Sequence, residues 1–124
     1  MPFIADTIFD SGLAYATTNG ETLYITSAEA TTYTQASATF ALGSKTAATV
    51  GAAVAGATDG RRVIVSAITD GAVSGTGTAT HWALCKDSAT SELLATGALT
   101  ASQAVTSGNT FTLDAISITI RDAA

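Results

Sequence analysis

The feature that most constrains this chain is a change of hydrophobic period at Asn19-Gly20. Ahead of it Ile4, Ile8, Phe9, Leu13 and Ala16 recur at steps of three and four, the helical period. Beyond it apolar residues recur at every second position among β-branched neighbours, the period of a strand, and no second convincing helix follows. An Asn-Gly pair readily takes positive φ and so stops a helix or makes a turn. The pattern predicts one helix over about 3–17 and a β domain over about 21–122, together a single domain over 1–124.

Within the β region, Thr22 to Thr26 reads as a short strand with Leu23 and Ile25 on one face and Tyr24 on the other. Ser27 to Tyr33 has no clear period and several hydroxyls that compete for backbone hydrogen bonds, so it reads as a loop or single helical turn. Ala38 to Leu42 and Thr46 to Ala53 read as weak strands parted by Gly43. Asp59-Gly60 is a tight-turn signal. It introduces Arg62 to Ile68, apolar on both faces like an interior strand and ended by Thr69-Asp70-Gly71.

A Thr-rich stretch then leads into His81 to Cys85. Thr80, Trp82 and Leu84 share one face there and Ala79, His81, Ala83 and Cys85 the other, so Trp82 is expected to anchor the core. After the polar connection 86–90, Glu92 to Ala98 returns as the hairpin partner. The last strand changes phase: Phe111, Leu113 and Ala115 alternate in one register, Ile116, Ile118 and Ile120 in the other. Either a β-bulge near Asp114 to Ile116 absorbs the extra residue, or the strand passes from one packed sheet to another. The fold class that follows is mainly β: an antiparallel β-sandwich or barrel of about seven or eight short strands with one N-terminal helix.

A chain of 124 residues buries about two-thirds of its unfolded surface. Although 47% of its residues are hydrophobic, much of that is alanine, so the core should be thin and drawn from a few Ile, Leu, Val, Phe and Trp side chains. Five Lys and Arg against ten Asp and Glu give a net charge of -5, which argues against a nucleic-acid surface, since phosphates are neutralised by clustered cations. The adjacent pair Arg61 and Arg62 reads as strand-end charge or a protein contact. The N-terminus lacks the basic start and apolar run of a signal peptide, and no apolar stretch approaches the ~18 residues of a membrane span.

Catalytic parts are missing from the sequence. With His81 the only histidine, a serine triad or histidine-rich metal site lacks members. Cys85, the only cysteine, has no disulfide partner, and it stands about 13 Å from His81 along an extended chain. It reads as a small buried hydrophobe. Glycines 71, 75 and 77 have no third fingerprint glycine, since Thr80 stands there, and no helix after them, so they form no phosphate cradle. Asp6 and Asp10 lie one helical turn apart but fall short of a calcium shell, and near a helix start they complement the dipole. No enzyme activity, cofactor, catalytic residue or metal ligand is expected.

Three segments carry a resemblance: Ile68 to Val73, Gly77 to Leu84, and Leu93 to Leu99 with Val105 to Phe111. A Thr-rich strand reaches a central aromatic, a hairpin ends in Gly97-Ala98-Leu99, and a Gly108-Asn109 turn precedes an alternating final strand. Together with Leu13 to Tyr15 and Ile25 to Tyr33, this resembles small bacteriophage virion structural proteins, in particular capsid decoration or cement proteins. The resemblance implies a subunit made in the host cytoplasm that binds the outside of a phage head. Its partner would be the major capsid protein, and it would act as a homotrimer with neither nucleic acid nor membrane as partner. Phe3, Ile4 and Tyr33 are the candidate partner contacts, being apolar groups outside the central alternation. The alternative is a tail, baseplate or fibre component, including a host-attachment module; a carbohydrate-binding version would need more exposed aromatics than Trp82, Tyr15, Tyr24 and Tyr33 offer.

Overall fold

The computed structural model of the chain describes residues 5–56, 60–87 and 91–120. Helix α1 (Asp6–Asn19) is followed by strands β1 (Thr22–Thr26), β2 (Ala41–Thr46), β3 (Val54–Ala55), β4 (Arg61–Val65) and β5 (Ile68–Val73). Then come β6 (Gly77–Lys86), β7 (Glu92–Val105), β8 (Thr110–Leu113) and β9 (Ile116–Ile120). A π-helical segment, Gln35–Thr39, lies between β1 and β2. The strands form a curled six-stranded sheet in the order β7-β6-β1-β2-β5-β8 and a small sheet in the order β3-β4-β9. Pairing is antiparallel throughout both sheets. The architecture is therefore mainly β and sandwich- or barrel-like, with one N-terminal helix.

The two sheets are joined by one bent ribbon. Val65 opposes Ile116 in the small sheet, and three residues on, Ile68 opposes Leu113 in the large one, so the register survives the bend. At the corner stand Ser66 and Ala67 on one strand and Asp114 and Ala115 on the other, small or polar and all exposed. Val63 and Val65 before the corner and Ile68 after it are all buried, as are Phe111 and Leu113 on the opposing strand. The phase change in the final strand is thus a passage between sheets, not a bulge. Its mirror image between Val65 and Ile68 ends the first of these strands at Val65, whereas a single strand over Arg62 to Ile68 was expected.

The main core gathers Leu23 and Ile25 of β1, Trp82 and Leu84 of β6, and the apolar residues of the ribbon. A second cluster lies on the other side of β1 and β6, where Ala83 and Cys85 meet Ala30, Ala36, Tyr24 and Tyr33. Strand β6 therefore buries both faces, which is why its burial runs unbroken from Trp82 to Cys85. Each fully buried Leu or Ile is worth about 1.5–3 kcal/mol, so these few large side chains carry most of the apolar stabilisation.

Other expectations shift in detail. Ala38 and Thr39 belong to the π-helical segment, Gly43 lies inside β2, and of the stretch expected as a strand over 46–53, Thr46 ends β2 and the rest holds a single bridge from Val50 to Val65. Helix α1 buries Phe9 and Leu13 but leaves Ile8 65% exposed. Its C-terminal cap is Gly20, whose N–H donates to the Ala16 carbonyl at 2.8 Å in extended backbone rather than at positive φ. Arg61 holds the helix to β4 through a two-pronged contact with Asp10, Nε to Oδ1 at 2.8 Å and Nη2 to Oδ2 at 3.3 Å. That contact raises the Arg61 pKa above its ordinary value.

Candidate functional site

Strands β7 and β8 are the two edges of the large sheet, yet a short turn joins them, so they diverge from a common apex. Near that apex the Gln103 side-chain amide donates to the Thr112 carbonyl at 2.9 Å, a side-chain bond where a closed barrel would carry a ladder. Beyond it lies a wedge-shaped cleft of about 550 Å³. Residues 97–101 of β7 form one wall and residues 113–117, the corner and start of β9, form the other. The buried Trp82 indole also lines it, as an apolar floor.

The β7 wall is irregular. Ala98 opposes His81 and Gln103 opposes Ala79, so the four residues 99–102 face Thr80 alone. Gly97 opposes Trp82, and a Cβ at Gly97 would fall 2.7 Å from the indole Cζ2, so only glycine lets the ring lie against β7. Asp114 is the one charged residue among the described residues lining the cleft, and Arg62 touches its far end through Nη1 and the Ser117 hydroxyl at 3.4 Å.

A second feature is polar. The Asp87 carboxylate accepts the hydroxyls of Tyr33 at 2.7 Å and Tyr24 at 3.2 Å, and also that of Thr22. The Asp87 N–H donates to Glu21 Oε1 at 2.6 Å. This node fastens the segment between β1 and β2 over the end of β6, beside a shallow depression of about 530 Å³ reached by Glu21, Thr22, Ala47 and Asp87. Tyr33 is thus half-buried and held at its hydroxyl, while Phe3 and Ile4 lie outside the described residues. Sequence reasoning singled out Tyr33 but missed Asp87, because residues 22, 24, 33 and 87 meet only through the fold.

The node and the burial beside it shift three acids upward. Burial and then the charge of Asp87 push the Cys85 thiol up to about 12, and the same two causes raise Tyr24. The hydrogen bond to Asp87, then burial, raises Tyr33. Each group stays neutral in the folded chain above the pH at which the unfolded chain loses its proton, so the folded state binds more protons there. Stability is expected to hold up to about pH 9 and to fall as pH rises from there towards 12, read from urea midpoints. Cys85→Ala should remove the component that begins lowest, at most about 1.4 kcal/mol per pH unit. A thiol reagent at pH 8 should label Cys85 only as fast as the chain opens.

The remaining groups stay apart. His81 shares a 2.8 Å contact with the Thr80 hydroxyl, and Cys85 is buried in the second cluster. Asp10 is engaged by Arg61, and Gly71 is a β5 strand residue rather than part of a loop. Among the described residues no group of three or more His, Cys, Asp or Glu gathers as a metal site, and no helix is long and apolar enough to cross a membrane. No family model, curated protein or solved structure matches this chain.

Proposed function

We propose that this chain is a non-catalytic structural subunit, a capsid decoration protein that binds the major capsid protein on the outside of a phage head as a homotrimer. The observation that carries an assembly role is the character of its strand edges. Glu92 is the only charged residue in β3, β7, β8 and β9, and Tyr15 already bonds it at 2.7 Å. Strand β7 runs for 14 residues at the edge of its sheet. Proteins that remain single blunt such edges with charges, proline, bulges or short strands, because an unprotected edge templates pairing with another chain; β7 has its register shifts against β6 and Glu92, but neither proline nor shortness. An edge of this length with a single charge, at its first residue, favours a subunit that another chain covers.

The choice of a phage head rests on the resemblance of segments 68–73, 77–84, 93–99 and 105–111. Decoration also suits a thin-cored acidic chain, since many copies that each bury modest area add up through avidity. The test is a reconstruction of the particle that carries the chain. Regular density on the outer head lattice, in threefold groups touching several capsid subunits, is the expected result. Density confined to the tail would overturn the head reading in favour of tail assembly or host attachment.

A further inference from the structure

We infer that the wedge between β7 and the β8–β9 corner is a peptide site that takes one extended partner segment, small or apolar towards Trp82 and basic opposite Asp114. The inference rests on the reading of the chain as an assembly subunit and names what one of its surfaces holds.

Both walls of the wedge are strand edges with unfilled pairing capacity. Among the described residues β9 pairs only with β4, and β8 only with β5. In an antiparallel pair every second residue turns its N–H and C=O away from the partner, so those of β8 and β9 face outward from the ladder. On the other wall, the four residues 99–102 stand opposite one residue of β6 and cannot all pair with it. The Gln103 amide on the Thr112 carbonyl closes the apex and so fixes where an added strand would end. The five wall residues 113–117 match about 16 Å of extended chain, or a segment of four to five residues.

The chemistry of the walls selects the occupant. Small ligands are oriented by converging polar side chains; here both walls are strand edges, whose outward backbone groups are the currency of strand addition. The Trp82 floor and the neighbouring Gly97, Ala98 and Leu99 accept small or apolar side chains. Among the described lining residues Asp114 has no cation, Arg62 reaching only Ser117 at the far end, and the chain's net charge is -5, so charge complementarity calls for lysine or arginine opposite Asp114.

Trp82 is the only tryptophan, so its fluorescence reports on the wedge directly. The probe is a capped seven-residue peptide of alternating threonine and valine with lysine at its centre. Controls carry glutamate at the centre, or N-methyl groups on alternate amides. The lysine peptide should shift the Trp82 emission and move backbone amide signals of residues 97–101 and 113–117. The glutamate peptide should bind at least tenfold more weakly, and Asp114→Asn should bring the two peptides together. No response, a response elsewhere on the chain, or equal binding of the N-methylated peptide overturns the site. Particle recognition without a wedge response overturns the peptide site and leaves the assembly reading standing. A wedge response without particle recognition overturns the head reading and leaves the site.

Discussion

Truncation of Trp82 to alanine should lower the unfolding free energy by about 3–5 kcal/mol, the range for removing a buried large aromatic. The loss should sit at the upper end, because the indole is 8% exposed, packs in the main core and lies flat against Gly97. A domain of this size commonly holds about 5–15 kcal/mol in total, so a loss of about 5 kcal/mol removes a third or more of it. Urea denaturation followed by far-ultraviolet circular dichroism measures the change without the lost fluorophore. Trp82→Phe should lose less than half as much, since the ring still reaches β7. An unchanged midpoint for the alanine variant would mean that the indole rests on the surface of the core rather than within it.

What the sequence disclosed about the fold follows from how periodicity arises. The helix, the strand at Thr22 to Thr26 and the position of Trp82 were legible because each side chain answers to one face of its own element. The phase change from Leu113 to Ile116 was legible as a corner or a bulge, since both cost one residue of alternation. Its mirror between Val65 and Ile68 was hidden, because Ile64 and Ala67 make both faces of the segment apolar, so no break in alternation shows. Gly43 and Gly71 looked like punctuation, yet both lie in strands where their missing side chains admit the ring of Phe111.

The candidate site was less legible, for a physical reason. A cleft between diverging edges is a property of how a sheet closes, and no local pattern of residues 97–103 or 113–117 announces it. The only sequence signal was the near-absence of charge across β7, β8 and β9, where Glu92 stands alone, which composition could have raised as a question about partners. Node residues Asp87, Tyr24 and Thr22 are likewise joined by the β1–β6 pairing, which places Thr22 opposite Cys85, two residues before Asp87.

Gly71→Ala should cost about 3 kcal/mol, the upper part of the range for overpacking a core, although it adds one methyl group. An added Cβ would meet three atoms of the Phe111 ring, Cε1, Cζ and Cε2, all within 2.6 Å. The ring cannot simply step aside, since it is 3% exposed and its Cδ1 and Cε1 already stand 3.2 Å from where a Cβ would be at Gly43. Backbone must therefore move where β5 pairs with β8, next to the register shift between Ile68 and Gly71. Phe111→Leu alone should cost about 1–3 kcal/mol through lost packing. Combined with Gly71→Ala it should cost clearly less than the two single losses together, because the smaller side chain relieves the clash that the alanine creates. Urea titrations of the wild type, both single variants and the double variant close the cycle. Strict additivity would show that the strain at Gly71 comes from its own backbone and not from the ring above it.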